Sequence, residues 1–244
     1  MGLRTRLRTN SVARSTRELI TGVGNITDTP LKSIVRCLDE LQIDSVIDVG
    51  ANVGQFGLDI RRHGFKGLIV SFEPVQENFK NLSRTILKSS PWKALQLGLG
   101  AADSDQLINV SGNAGLSSSI LKMKTLHLEN FQDSVTVASE RIVISTVDKQ
   151  LEVLGLSPEH VMLKIDVQGY EAEVLKGATK SLSKIPLCYL EVSLTPLYEG
   201  EITFLPILIE LASFGHEVID VFRGIKSIDG KLLQLDILTK LAKK

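Results

Sequence analysis

Four acidic residues of the sequence stand at or beside the end of a short apolar run: Asp48, Glu73, Asp166 and Glu191. Runs of this kind are candidate buried strands. The carboxyl ends of parallel strands meet at one edge of an open sheet, and ligands bind in the crevice outside that edge. Carboxylates gathered there are costly unless they meet hydroxyl groups, cations or a metal. The pattern therefore predicts a binding site for a ligand that carries hydroxyls or positive charge.

A glycine-bearing turn directly follows the first of these runs. It contains Gly50, Ala51, Asn52 and Gly54, and apolar residues at helical spacing come next. Glycines let the backbone approach a ligand, and the start of a helix offers unpaired N–H groups. Asn52 replaces the second glycine of the dinucleotide fingerprint, so close approach by a pyrophosphate is not provided for. The turn resembles the S-adenosylmethionine (SAM) turn of Rossmann-like methyltransferases; an ordinary tight strand-to-helix turn is the alternative.

Glu73 and Pro74 follow the next apolar run, about twenty residues later. In a doubly wound sheet, an acidic residue at the tip of the second strand reaches the ribose hydroxyls of a nucleotide. A carboxylate suits two neighbouring hydroxyls because it accepts hydrogen bonds from both. Pro74 can open the following helix, where its missing N–H costs little. A solvated loop glutamate is the alternative for Glu73, and its position makes a ribose contact the preferred interpretation.

The composition suits one α/β domain with an N-terminal extension, because the chain has 244 residues and is 43% apolar. Its net charge is zero, with 28 basic and 28 acidic residues, which argues against a nucleic-acid partner. Cys37 and Cys188 lie in apolar patterns and are expected to be buried free thiols, which fits a reducing, cytoplasmic location. No apolar run has the length of a membrane span.

Residues 1–29 are interpreted as a basic N-terminal arm, and residues 30–244 as the folded domain. The first 17 residues contain no acidic residue and five arginines, Arg4, Arg6, Arg8, Arg14 and Arg17. A frayed arm or an amphipathic helix is the preferred interpretation. An organelle transit peptide and a weak contact with an anionic membrane surface remain as alternatives.

Apolar runs and helical stripes alternate along the rest of the chain. The predicted strands are 45–49, 67–73, 92–99, 161–166, 187–192, 217–222 and 232–238. The predicted helices are 30–41, 53–63, 75–88, 147–154, 170–182 and 202–214. Residues 103–145 interrupt the alternation, and there the third strand is expected to continue into a hairpin with 107–110, with another strand at 136–144. The alternation predicts an α/β fold with a mostly parallel, doubly wound sheet and an inserted β-hairpin region.

The segment LKIDVQGYEAEVLKGA at 163–178 resembles the KIDVEGxExxxLxGA segment of the FkbM family of SAM-dependent methyltransferases. Gln168 stands where that family usually has a glutamate. Further agreement with the family comes from VGANVG at 49–54, FEP at 72–74, the loop 115–119 and the strand end at 191–192. The resemblance covers about residues 44–239 and implies a Rossmann-like class I methyltransferase fold with SAM as cofactor.

The resemblance and the strand-end acids together predict the site residues. Those expected to bind the cofactor are Asp48, Gly50, Ala51, Asn52, Gly54, Glu73, Pro74 and Asp166. A hydroxyl is a poor nucleophile, so a general base would add about 10²–10⁴-fold to the rate. Asp166 and Glu171 are the candidates, with His127 third; Asp166 could instead orient the hydroxyl or cap a helix. Asp166 and Glu191 could share a hard cation, but no further acid completes a set, so no metal is expected.

The leading hypothesis for the function is an O-methyltransferase. The resemblance implies that the acceptor is a hydroxyl of a sugar, a glycolipid or another small natural product. One alternative is a nicotinamide-dependent oxidoreductase, against which Asn52 argues. The other is a catalytically degenerate protein of the same fold that binds a partner without turnover.

Overall fold

A computed structural model describes residues 29–87 and 91–242 of the chain. The main sheet has seven strands in the order β3-β2-β1-β7-β8-β10-β9. These are β1 Ser45–Val49, β2 Leu68–Phe72, β3 Trp92–Leu95, β7 Val161–Ile165, β8 Leu187–Ser193, β9 His216–Arg223 and β10 Gln234–Leu241. β10 runs antiparallel to both of its neighbours, and the other pairings are parallel. The mostly parallel, doubly wound sheet predicted from the sequence is confirmed.

Helices cover both faces of this sheet because neighbouring residues of each strand point to opposite sides. The helices are α1 Pro30–Glu40, α2 Gln55–Arg62, α3 Gln76–Ile86, α4 Thr125–Asn130, α5 Val147–Leu154, α6 Glu171–Lys176 and α7 Phe204–Ser213. On β1, Val46 belongs to the core formed with α1, α2 and α3. Its neighbour Ile47 belongs to the core formed with α5, α6 and α7. The chain reverses its direction of winding between β1 and β7, and the carboxyl ends of these two strands lie at that switch point.

A second, three-stranded sheet stands beside the main one in the order β4-β6-β5. It consists of β4 Gly98–Leu99, β5 Ser104–Ser111 and β6 Thr136–Ser145. The prediction of one continuous strand over 92–99 was wrong, because β3 ends at Leu95 and β4 pairs with β6 instead. The predicted hairpin partner was also wrong: β5 pairs antiparallel with β6, across the intervening loop and α4.

The helix predicted over 170–182 is shorter than expected, because α6 ends at Lys176. A Cβ on Gly177 would lie 2.0 Å from the carbonyl oxygen of Gly100, so the chain comes into contact with the turn after β4 there. Successive turns replace the helix beyond that point.

Two predictions concern residues near the N-terminus. α1 begins with Pro30 at its first position, as the sequence predicted. The basic arm lies outside the described residues except for Thr29. Among the helices that the structure describes, none has the length and apolar character needed to cross a bilayer.

Candidate functional site

A cavity of about 440 Å³ lies where β1, β2, β7 and β8 end and the antiparallel β10 begins. The second sheet and the loop between β5 and α4 form its apolar wall, with the side chains of Leu99, Ile108, Leu116, Ile120, Ile142 and Ile144. Polar groups from the main sheet form the opposite side. The cavity therefore combines an apolar wall with a polar floor, as small-molecule sites usually do.

Gly50 brings two strand ends close together in the cavity floor. Its φ is +75°, and a Cβ at this position would lie 1.8 Å from the carbonyl oxygen of Asp166. Only glycine therefore permits the turn after β1 to pack on the turn after β7. Asn52 also has a positive φ of 48°, which asparagine tolerates better than most residues, and its Oδ1 accepts a hydrogen bond from the N–H of Val53 at 2.8 Å.

Glu73 lies directly after β2 and is only 5% exposed. Its Oε2 accepts a hydrogen bond from the N–H of Asn52 at 2.8 Å, and its Oε1 accepts one from the N–H of Val75 at 2.9 Å. Burial raises the pKa of Glu73 to about 7, although these hydrogen bonds oppose the rise. Asn78 contributes a further side-chain hydrogen bond to this carboxylate, whose remaining lone-pair capacity is available to ligand hydroxyls. Gly50, Ala51, Asn52 and Pro74 line the same part of the cavity, so the structure brings these predicted residues together.

Asp48 does not line the cavity, in contrast to the prediction. It is fully buried, and its Oδ1 lies 3.0 Å from Nζ of Lys164. Its Oδ2 accepts a hydrogen bond from Ser71 at 2.9 Å. Gly54 also lies outside the lining, where it precedes α2 with a φ of +93°. Both residues shape the turn in this structure, and their contact with the cofactor stays a prediction.

Lys164 links the buried ion pair to the cavity floor. Its Nζ donates to the carbonyl oxygen of Gly50 at 2.8 Å, and lies 3.8 Å from Oδ2 of Asp166. Burial lowers the pKa of Lys164, but the carboxylates of Asp48 and Asp166 outweigh that effect and raise it. Lys164 was not among the predicted site residues, although one lysine in an otherwise apolar five-residue strand was a usable signal.

The other end of the cavity is acidic. Asp166 follows β7 and its side chain is 39% exposed, while Glu191 in β8 and Asp236 in β10 are partly buried beside it. Burial, Asp166 and Asp236 raise the pKa of Glu191 well above its usual value. Burial and then Asp166 raise the pKa of Asp236 to about 6. Asp236 was also not predicted as a site residue, because nothing in its local sequence pattern places the start of the last strand beside β8.

Glu171 lies outside the cavity and does not have the geometry of the general base predicted for it. Its side chain is buried beneath the loop that joins β7 to α6. Its Oε1 accepts hydrogen bonds from the N–H groups of Val167 and Gly169, both at 3.1 Å. Burial raises the pKa of Glu171 to about 8. Glu171 therefore holds the loop that carries Asp166. The capping alternative for Asp166 is also wrong, because Tyr170 precedes α6 and no side chain caps that helix.

His127 is likewise excluded as a base by its position. It is 2% exposed, and its ring packs between those of Phe131 and Tyr198 at centroid distances of 5.0 and 5.1 Å. Burial lowers its pKa to about 4, so the ring is neutral. Within the described part of the chain, no group of three or more histidine, cysteine or acidic side chains is arranged to hold a metal ion.

Comparison with known proteins gives a family and several distant relatives. Hexuronic acid methyltransferase AglP of Haloferax volcanii is 27% identical over 157 residues, which are 64% of this chain and 59% of that protein. Methyltransferase sdnD of Sordaria araneosa is 31% identical over 165 residues, 58% of this chain and 64% of that protein. The chain thus spans less than two thirds of the length of these relatives.

A similar solved structure is magnesium protoporphyrin IX methyltransferase (ChlM) from Synechocystis PCC 6803 with bound SAM. It superposes with a TM-score of 0.47 and 11% identity, over 87% of this chain and 78% of that one. The profile of the Methyltransferase FkbM domain matches residues 48–223, which include the cavity-lining residues from Val49 to Glu191. This match confirms the resemblance seen in the motifs, and the chain belongs to the FkbM family of SAM-dependent methyltransferases.

Proposed function

We propose that this protein transfers a methyl group from SAM to a hydroxyl group of a neutral sugar, glycolipid or other small natural product. The observation that carries the proposal is a single cavity with Glu73 at one end and the partly exposed Asp166 at the other. The first group suits the cofactor and the second suits the acceptor. We assign the activity to a domain that comprises residues 30–244.

The residues of the cavity fit the chemical parts of SAM. The lone pairs left on Glu73 suit the two ribose hydroxyls. The apolar wall that includes Leu99 and Ile142 suits the adenine ring. The carboxylate of Glu191 suits the ammonium group. When bound, SAM supplies a methyl group on a sulfonium, which is already activated for transfer.

Asp166 is the residue we assign to the acceptor. Among the three acids at this end of the cavity, Asp166 lies on the turn that packs against Gly50, and its side chain is 39% exposed. Its carboxylate would accept the proton of the acceptor hydroxyl as the oxygen forms its bond to the methyl carbon. SAM would supply the methyl group, and the electron pair of its carbon–sulfur bond would stay on sulfur. The loop between β5 and α4 and the second sheet limit access of water to the cavity. Alignment of the acceptor oxygen with the methyl carbon can lower the activation barrier by about 7–11 kcal/mol.

The charge of the cavity favours a neutral acceptor. Lys164 is the one basic side chain among the described residues that line it, and its ammonium is bound by Asp48 and by backbone carbonyls. A carboxylate on the acceptor would gain no cation at the acidic end and would be repelled there. The relative AglP is named for hexuronic acids. If this chain took such an acceptor, its carboxylate would have to face away from Asp166.

The two alternative functions receive less support. Membership of a methyltransferase family argues against the nicotinamide-dependent oxidoreductase. Against the degenerate binding protein stands an assembled polar floor, with Glu73, Lys164 and Asp166 all engaged in defined contacts. The buried free thiols of Cys37 and Cys188 support our proposal of a reducing compartment such as the cytoplasm. Contact of the N-terminal arm with a membrane surface stays a prediction.

The experiment is methyl transfer from radiolabelled SAM to a panel of neutral glycosides, glycolipids, uronates and alcohols. Transfer to neutral hydroxyl acceptors in preference to uronates is expected. Glu73→Ala should lose hydrogen bonds to a charged group, about 1.5–3 kcal/mol, and so raise the SAM dissociation constant about 10- to 150-fold. Glu77→Ala, at an exposed position on α3, is the matched control. Tight SAM binding without transfer to any acceptor class would favour the degenerate alternative.

A further inference from the structure

Gln168 connects the two carboxylates that face the acidic end of the cavity. Its amide nitrogen donates to Oδ1 of Asp166 at 2.9 Å and to Oε2 of Glu191 at 2.8 Å. Both hydrogens of one amide group are therefore used on two acids from different strands. An amide has two such donors, whereas an ionised glutamate at the same position would have none.

Tyr198 supports this orientation of the amide. It is fully buried, and the single hydrogen of its hydroxyl is shared between Oε1 of Gln168 at 3.0 Å and the carbonyl oxygen of Ser117 at 3.2 Å. The reverse orientation would set the amide oxygen against the carboxylate oxygens of Asp166 and Glu191, which is unfavourable. The hydrogen-bond network thus selects one orientation of the side chain.

The backbone of the loop is held as firmly as the side chain. Gln168 has a φ of 56°, a conformation that costs energy for most residues, and its carbonyl oxygen accepts a hydrogen bond from Ser119 at 2.7 Å. The neighbouring N–H groups of Val167 and Gly169 donate to the buried Glu171. The loop therefore places the amide between the two acids.

We propose that Gln168 is a positioning residue, whose amide holds Asp166 and Glu191 side by side and keeps a further acidic side chain out of the acidic end of the cavity. This inference rests on the proposed function only for its catalytic meaning, since Asp166 is the residue assigned to the acceptor hydroxyl. In the family that the chain resembles, a glutamate is usual at this position.

The cost of an added charge follows from the groups that face Gln168. They come from β7, β8, β10 and the segment after β8, and they are Lys164, Asp166, Tyr189, Glu191, Tyr198 and Asp236, with Glu171 and Glu201 behind the loop. Carboxylates that share one site cannot all ionise, so one of them takes a proton. Lys164 is the one cation in this set, and Asp48 already neutralises it.

The first test compares the melting temperatures of the parent, Gln168→Glu and Gln168→Met between pH 5 and pH 8.5, without ligand. A glutamate here has a folded pKa above its unfolded value. The contribution of this glutamate to the free energy of unfolding is therefore present at low pH and is lost as pH rises through its folded pKa. We expect Gln168→Glu to melt within about 3 °C of the parent at pH 5 and about 5–10 °C below it at pH 8.5.

Gln168→Met is the matched control, because it removes the same hydrogen bonds without adding a charge. The difference in melting temperature between Gln168→Met and the parent should change less with pH than the difference between Gln168→Glu and the parent. Equal pH dependence of the two variants would overturn the proposal, because a merely structural role of the side chain predicts that result. If Gln168→Glu fails to fold at pH 8.5 but folds at pH 5, the expected direction is met.

The second test is SAM titration of the parent and Gln168→Glu over the same pH range. If a bound SAM cation displaces the extra proton, affinity of the variant should rise by up to about tenfold per pH unit more than that of the parent. A pH-dependent melting temperature together with parent-like SAM binding would support the bridge and contradict the proposed placement of the ammonium. Failure of the parent to bind SAM would contradict the proposed function and leave the melting comparison valid.

Discussion

The carboxyl group of Glu73 titrates near neutral pH, because burial raises its pKa to about 7. The ionised form accepts hydrogen bonds from two ribose hydroxyls, whereas the protonated form loses part of that capacity. We therefore expect SAM affinity to fall as pH decreases below about 7, by at most about tenfold per pH unit. Isothermal titration between pH 5.5 and 8.5 measures the effect.

Two variants separate Glu73 from other titrating groups. Glu73→Gln should bind SAM more weakly and should lose the part of the pH dependence that comes from this carboxyl. Glu77→Gln, exposed on α3, should keep this pH dependence of SAM affinity.

The stability of the free protein should depend on pH in the opposite direction to the SAM affinity. A raised folded pKa favours folding at low pH, and that contribution is lost as pH rises through about 7. Unchanged pH dependence in Glu73→Gln would exclude Glu73 as the titrating group.

Asp166→Asn keeps the shape of the side chain and removes its charge. If Asp166 accepts the proton of the acceptor, the single-turnover rate should fall about 10²–10⁴-fold while SAM binding stays nearly intact. If it mainly holds the ammonium of SAM, affinity should fall as well. Asp105→Asn, at an exposed position of β5, is the control. A variant with parent-like rate and affinity would remove Asp166 from the site.

At the scale of secondary-structure elements, the packing of one turn on another decides the geometry of the cavity floor. The turn after β1 contacts the turn after β7 through Gly50. A Cβ atom on Gly50 would lie 1.8 Å from the carbonyl oxygen of Asp166. Lys164 ties the same turns from within β7. These contacts set the separation between the cofactor end and the acceptor end, so a change in them should affect both binding and stability.

Gly50→Ala tests this packing against Gly155→Ala. Both glycines have positive φ, but a Cβ on Gly155 would meet nothing within 4 Å. The control should lose about 1–2 kcal/mol from left-handed backbone strain alone. Gly50→Ala should lose a further 1–3 kcal/mol or so from the clash, and its SAM affinity should also fall. Urea denaturation followed by circular dichroism gives the free energy of unfolding of both variants. Equal losses in the two variants would contradict the proposed contact.

At the scale of the whole molecule, the cavity lies between the two sheets. The main sheet supplies its polar floor and the second sheet its apolar wall. A ligand that fills this space binds the folded protein and not the unfolded chain. SAM at one hundred times its dissociation constant should therefore stabilise the fold by about 2.7 kcal/mol. For a chain of this size, that corresponds to a rise of about 5–11 °C in melting temperature.

NAD serves as the comparison ligand in this measurement. It should produce no such rise, since Asn52 takes the place of the glycine that lets a pyrophosphate approach. S-adenosylhomocysteine should stabilise the protein as SAM does. The absence of a thermal shift with either sulfur ligand at millimolar concentration would refute SAM binding by this chain.

The order of strands and helices, and the edge at which ligands bind, could be predicted from the sequence. Strand and helix patterns are local, and alternating units wind in one direction, so the positions of Gly50, Glu73 and Asp166 at one edge follow from the chain order. The family motif at 163–178 identified the type of site for the same reason, because its residues are contiguous. The partners of β4 and β5 depend on contacts across a long insertion, and there the prediction was wrong.

Only the tertiary structure decided which side chains face the cavity. Asp48 and Asp166 lie at strand ends and Glu171 opens the helix after β7, yet only Asp166 lines the cavity, and the other two are buried behind its floor. Their local sequences do not separate these outcomes, because the direction of each side chain depends on packing with distant residues. Lys164 pairs with Asp48, and Gln168 joins Asp166 to Glu191 through contacts between separate strands. Such contacts have no local pattern, since they form only when the sheet brings the strand ends together.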